Sequence, residues 1–122
     1  MIVGIGTDII AIDRIKRAMV KPRFISRFFS QEELTMFEAQ GLKAETVAAN
    51  FAMKEAVVKA LGTGFRGFYV RDVIILRNPL GKPYLKITEP IQSIMKQQGI
   101  VNIHVTCSHE KETAIAFAVA ES

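Results

Sequence analysis

Residues 51–64 read FAMKEAVVKALGTG and set Lys54, Glu55 and Lys59 inside an otherwise apolar stretch. Charged side chains are costly to bury without partners, so these three need a reason. Glu55 and Lys59 are four residues apart and share a helical face in the acid-first order that favours an ion pair. Such a pair on an exposed stripe is their simplest account. Three features tell against it. The surrounding residues are too apolar for a broad wet face. Gly62, Thr63, Gly64 and Gly67 follow at once, with backbone amides open to an anion. A second lone acid, Asp8, stands at the end of another apolar run, MIVGIGTDII. Asp8 and Glu55 together make the hard-oxygen pair that Mg²⁺ takes, with waters and substrate phosphates filling its other positions. A lysine one turn from the glutamate would neutralise phosphate charge as it builds up. The combination suits phosphoryl-type transfer. The GTG is no Walker loop, because it follows a helix and lacks the lysine-serine ending.

The elements that must position these groups are readable from periodicity. Residues 2–10 are β-branched and apolar and predict a buried strand ending near Asp8; Gly4 and Gly6 within it imply that another backbone packs close by. Residues 12–20 have helical spacing (Ile12, Ile15, Met19) and stop at Pro22. Ser30 and Glu33 form a capping box at the start of a helix that Gly41 ends. The segment from about Thr46 to Leu61, apolar on nearly all sides and stopped by Gly62, is the expected central helix. Residues 69–77 and 83–88 predict strands joined by the turn-rich NPLGK. A short helix follows from Pro90 to Gly99. Residues 103–108 and 113–120 form a last strand pair around HEKE. The order predicts one α+β domain over residues 1–122, an antiparallel sheet wrapped around one long helix. In the last strands, Cys107 reads as a small apolar filler and His104 as a plain strand residue.

The composition agrees with a single globular domain: 122 residues, 49% hydrophobic and 23% charged. No apolar run approaches the roughly 18 residues of a membrane-spanning helix, and the N-terminus lacks the basic leader of a signal peptide. One cysteine allows no internal disulfide. A soluble cytoplasmic protein is expected, with no membrane partner. Net charge is +4, and Arg14, Lys16, Arg17, Lys21, Arg23 and Arg27 lie in one segment without an acid. That field attracts an acidic partner. A basic segment interleaved with Phe24, Phe28 and Phe29 also admits a nucleic-acid-binding module, with bases stacked on the aromatics. The simpler account is that these rings anchor a helix to its own core, and no nucleic-acid partner is expected.

GIGTDI, FAMKEAVVKALGTG, NPLGKPYL and TCSHEKETAIAFAVAE occur in this order along the whole chain. The set resembles the bacterial holo-[acyl-carrier-protein] synthases, the short, trimeric form of the 4′-phosphopantetheinyl transferases. The upstream GxDI with KEAxxKAxGTG is the specific part; GKP and SH support it. The resemblance implies the fold of that family and transfer of 4′-phosphopantetheine from coenzyme A to a serine of apo acyl carrier protein, for fatty acid biosynthesis. Asp8 and Glu55 would hold Mg²⁺, and Lys59 would contact the phosphates. Lys54 would be structural or peripheral. Gly62 and Gly64, Lys82 and Pro83, and Ser108 and His109 would line the coenzyme A cleft. Arg14, Met19, Arg23, Phe24 and Arg27 match the face that docks the acidic carrier. A homotrimer with active sites at protomer boundaries is implied. The serine proton would pass to Glu55, to a water on the metal or, less favourably, to His109. The chain departs from the family at Asn50, often arginine, and Val58, often serine; both are expected near the coenzyme side. A carrier-binding protein without catalysis is the remaining alternative.

Overall fold

β-Branched residues alternate with small ones from Ile2 onward, and in the computed structural model, which describes residues 1–122, they form strand β1 (Ile2–Ala11). β1 pairs antiparallel with β5 (Thr113–Glu121), and β5 pairs antiparallel on its other side with β4 (Asn102–His109). One face of this sheet carries the small side chains Ala114, Ala116, Ala118 and Ala120, all buried. Helix α4 (Ala44–Leu61) lies against that face. The approach is closest at two glycines. A Cβ on Gly6 would stand 1.9 Å from the Ala56 carbonyl oxygen, and one on Gly4 2.0 Å from that of Ala60. No side chain fits between strand and helix there, which is why the sequence inserts glycine into a strand. Gly6→Ala is therefore expected to lower stability by about 3 kcal/mol, read from urea unfolding. It should also reduce activity beyond the loss of folded protein, because it pushes the strand bearing Asp8 away from the helix bearing Glu55.

Between β1 and α4 the chain forms α1 (Ile12–Met19), α2 (Phe24–Phe28) and α3 (Gln31–Ala39). The expected capping box is present: Glu33 N donates to Ser30 Oγ at 3.2 Å, and Ser30 N donates to Glu33 Oε1 at 3.0 Å. Phe29 is buried, and Phe24 and Phe28 pack against each other and against Phe51 of α4. The rings anchor α2 to the core, the simpler of the two accounts of them. After α4 come β2 (Ile74–Arg77) and β3 (Pro83–Lys86), paired antiparallel in a second sheet, and then α5 (Glu89–Gln98), ended by Gly99 in the left-handed region at φ 70°.

The α+β architecture around one long helix is the expected one, divided into two sheets. Several boundaries move. β1 runs past Asp8 to Ala11, held by its register with β5. α4 begins at Ala44, ahead of Thr46. The short helix α2 was not legible in KPRFISRFF. The expected strand 69–77 is a strand only from Ile74, because Val70–Asp72 turns as a 3₁₀ helix. There the Tyr69 amide donates to the Asp72 carboxylate at 2.8 Å, and the Val70 and Val73 carbonyls accept from the Lys54 ammonium at 3.2 and 2.7 Å. Those backbone groups are thus taken by side chains and do not form a ladder. Likewise β3 stops at Lys86, short of the expected 88.

Candidate active site

β1 delivers Asp8 on the face that meets α4, because Asp8 lies opposite Ala116 in the register and shares its side of the sheet. α4 delivers Glu55 and Lys59 one turn apart. The simpler account, an ion pair between Glu55 and Lys59, does not hold. Lys59 Nζ instead donates to Asp8 Oδ1 at 3.2 Å and to the Thr7 carbonyl oxygen at 2.8 Å, crossing from helix to strand. The strand backbone offers the ammonium a fixed acceptor, which a flexible partner on its own helix does not. The lysine side chain remains 54% exposed, so its other donor is open to a ligand.

Glu55 is half-buried, and its carboxyl sits above the ordinary carboxylate range. Burial is the main cause and repulsion from Asp8 the next; Lys59 and Arg14 pull the other way. Asp8, Glu55, Lys59 and Arg14 are therefore one electrostatic cluster. Its two carboxylates repel each other, and a divalent cation relieves that repulsion. The donor set fits Mg²⁺: it consists of hard oxygens only, and no third His, Cys, Asp or Glu joins it to close the coordination sphere.

The remaining predicted site residues fall into two regions. Gly62 and Gly64 follow the last turn of α4 at φ 73° and 62°, so their amides lie beyond Lys59 on the same end of the helix. Lys82 and Pro83 open β3, which runs alongside β4, whose end carries Ser108 and His109. Within one chain, Ser108 and His109 do not share a face. His109 is opposite Ala114 on the side of α4, whereas Ser108 is opposite Ile115 on the outer side. On the basic segment, Arg14, Arg23, Phe24 and Arg27 line a cavity of about 550 Å³, together with Ile10, Ile15, Lys21, Phe28 and Phe51. Met19, expected there, is not among its walls; it packs half-buried against the core. Ile10 and Phe51 place this cavity next to Asp8 and Glu55, two residues along the strand and one turn along the helix.

The geometry agrees with three comparisons. Residues 4–118 match the family described as the 4′-phosphopantetheinyl transferase superfamily. The chain is 50% identical to the holo-[acyl-carrier-protein] synthase of Clostridium beijerinckii, across 100% of this chain and 99% of that one. The chain belongs to the 4′-phosphopantetheinyl transferase superfamily. Its fold superposes on the holo-[acyl-carrier-protein] synthase of Neisseria meningitidis with a TM-score of 0.91 at 38% identity, covering 100% of both chains. A synthase from Bacillus anthracis, in complex with coenzyme A (3′,5′-ADP), matches with a TM-score of 0.82 at 36% identity over 100% of this chain and 98% of that one.

Beneath the site this phosphopantetheinyl transferase carries a polar network that sequence reasoning missed. Lys54 takes the structural of its two expected roles: its side chain is 0% exposed and its ammonium meets Glu33 Oε1 at 2.7 Å. Burial lowers the Lys54 pKa, and Glu33 opposes that shift. Glu33 Oε2 accepts from Ile75 N at 3.2 Å and from Asn50 Nδ2 at 3.3 Å. Asn50 Nδ2 also reaches the Ile75 carbonyl at 2.8 Å, and Asn50 Oδ1 accepts from Arg77 at 2.7 Å. No buried side-chain polar atom is left without a partner. Asn50 and Val58, expected near the coenzyme side, are buried, at 0% and 5% exposed. Asn50 faces Glu33 and β2, and Val58 packs in the core. The signal that could have found the network is Lys54 itself, a lysine at a position where the helix has no wet face.

Proposed function

We propose that the protein transfers 4′-phosphopantetheine from coenzyme A to a serine of apo acyl carrier protein, with Mg²⁺ held by Asp8 and Glu55. The observation that carries this reading is the meeting of Asp8 from β1 with Glu55 and Lys59 from α4, in a chain whose relatives are named holo-[acyl-carrier-protein] synthases. When bound, the ion supplies charge neutralisation and alignment of the pyrophosphate. The chain's own residues do the rest. Lys59 faces the phosphates with its open donor and stabilises the leaving group. The carrier serine oxygen forms the new bond to the phosphorus that bears the pantetheine arm. The bond from that phosphorus to the adenosine 3′,5′-bisphosphate oxygen breaks, and the bisphosphate departs as an anion. The serine proton passes to Glu55 as general base. Gly62 and Gly64 amides, with Lys82, Pro83, Ser108 and His109, line the coenzyme cleft in this reading.

The carrier docks over the cavity of the basic segment. Arg14, Arg23 and Arg27 meet its acidic surface, and Phe24 and Phe51 receive an apolar side chain. These exposed charges chiefly raise the on-rate and are screened by salt. The protein works in the cytoplasm and supplies charged carriers to fatty acid biosynthesis. The outer face of the β1-β5-β4 sheet supports a trimer: Ile5, Ile9 and Phe117 are 70%, 66% and 49% exposed on one side of a sheet. Apolar side chains so arrayed mark an interface. Its burial would bring the outward Ser108 of one protomer toward the cleft of the next. Phe117→Glu is expected to give monomers in light scattering and to lose most transfer activity; a trimer of full activity would contradict this assembly.

Incubation with coenzyme A, Mg²⁺ and apo carrier tests the function. The carrier should gain the mass of one phosphopantetheine. Docking without any mass gain, across several carriers, would leave the protein a binding module only.

A further inference from the structure

Helix α5 is held to the core by Ile91, Ile94 and Met95, all buried. The helical spacing of that stripe puts its next position at Gln98, where an apolar side chain would continue the core. Gln98 is half-buried there, and its amide is committed. Its Nε2 donates to the Leu61 carbonyl oxygen at 2.8 Å, from 37 positions away. Leu61 is the last residue of α4, the helix that carries Glu55 and Lys59. A helix ends on unsatisfied carbonyls and bears partial negative charge there. The end of α4 is therefore a poor neighbour for an anion unless its carbonyls are occupied.

The turn that follows offers donors to an anion and is loosely held. The Gly62 amide closes the helix on the Val58 carbonyl at 3.0 Å. The next two amides, of Thr63 and Gly64, donate to no acceptor in the fold and stay open to a ligand. Gly62 and Gly64 stand at φ 73° and 62°, a left-handed backbone that glycine enters and leaves without strain. Such a turn keeps its shape only through its anchors. At its far end Phe68 is buried, with the Phe65 ring 5.6 Å from its own. Beyond the turn, a cavity of about 470 Å³ lies between Arg66 and Gly67 and the side of α5 that carries Ser93 and Gln97, so packing does not fix the loop there. The Gln98 amide is the one side-chain hydrogen bond that crosses from α5 to the end of α4.

We propose that Gln98 is a positioning residue for coenzyme A: its hold on the Leu61 carbonyl offsets the negative end of α4 and fixes the turn whose Thr63 and Gly64 amides receive a phosphate of the donor. The proposal rests on the transferase reading, in which that turn lines the coenzyme cleft. Titration calorimetry with adenosine 3′,5′-bisphosphate, in the presence of Mg²⁺, compares the parent with Gln98→Leu and Gln98→Glu. Leucine extends the apolar stripe and should leave the melting temperature nearly unchanged, yet bind the nucleotide about fivefold more weakly, as loss of one hydrogen bond gives. Glutamate sets an acid beside the freed carbonyl and should weaken binding by at least about tenfold. In turnover, the KM for coenzyme A should rise by the same factors with kcat within about twofold, because the bond holds the donor alike in ground and transition states. If Gln98→Leu does not fold by circular dichroism, Gln98→Asn, one methylene short of the carbonyl, takes its place. A merely structural glutamine would lower the melting temperature and leave the affinity of the folded protein as it was. Parent-like affinity in either variant, or a fall in kcat with KM unchanged, would overturn the proposal. Failure of the parent to bind the nucleotide would overturn the transferase reading along with it.

Discussion

Glu55→Gln is expected to abolish phosphopantetheine transfer, by more than about a thousandfold, while leaving the metal-free protein at least as stable as the parent at neutral pH. The two halves of this result have one cause. The Glu55 carboxyl is raised above its ordinary range by burial first and by Asp8 second. A carboxyl that holds its proton more tightly in the folded chain favours folding at low pH and loses that advantage as pH rises through the folded value. As the pH rises, desolvation of the ionised Glu55 carboxylate and its repulsion from Asp8 weigh increasingly against the folded state. Glutamine carries no charge and escapes both. The stability gap between variant and parent should therefore close as the pH falls below the ordinary carboxylate range. Mg²⁺ should raise the melting temperature of the parent and not that of the variant. Melts with and without chelator, from acid to neutral pH, measure this. A Glu55→Gln protein less stable than the parent at neutral pH without metal would show that Glu55 is a structural residue.

The largest stability effect should come from Glu33→Ala, a residue outside the site. Its carboxylate accepts from Ser30 N, Ser30 Oγ, Lys54, Asn50 and Ile75 N. Removal strands a buried ammonium and several buried donors at once. Loss of one partner of a buried ion pair costs about 3–5 kcal/mol, a large share of the roughly 5–15 kcal/mol that holds a domain together. The melting temperature should drop by about 15 °C or more. Lys54→Met leaves the buried Glu33 carboxylate without its counter-charge and frees the carbonyls of Val70 and Val73, but it keeps the amide and hydroxyl donors on Glu33 and is expected to cost less. The ranking is checked by urea unfolding of both variants; the reverse order would mean that the lysine, not the carboxylate, organises the network.

Much of the site was legible before the fold. Gly4 and Gly6 announced a close helix–strand contact, and that contact sets Asp8 against Glu55 and Lys59. Both signals are local: small residues in a strand and charges in an apolar helix. What stayed hidden depends on contacts between distant segments. Glu33 read as a capping residue, which it is, but its second role needs Lys54, 21 positions away. Asn50 read only as a departure from the family pattern, and its contacts were not legible. In a helix buried on nearly every side, neighbouring residues face different partners, and Asn50 faces Glu33 and Arg77. Spacing alone would pair Lys59 with Glu55; the Thr7 carbonyl, which spacing cannot reveal, decides its direction. The strand 69–77 failed for the same reason, since buried Lys54 takes the carbonyls of Val70 and Val73.

The central claim is that the carboxylates of residues 8 and 55 jointly grip one divalent ion. Electron paramagnetic resonance of Mn²⁺, titrated into the protein with coenzyme A present, tests it most directly. One bound ion per chain is expected for the parent, with both Asp8→Asn and Glu55→Gln weakening it at least about tenfold. Parent-like Mn²⁺ affinity in either variant would contradict the claim.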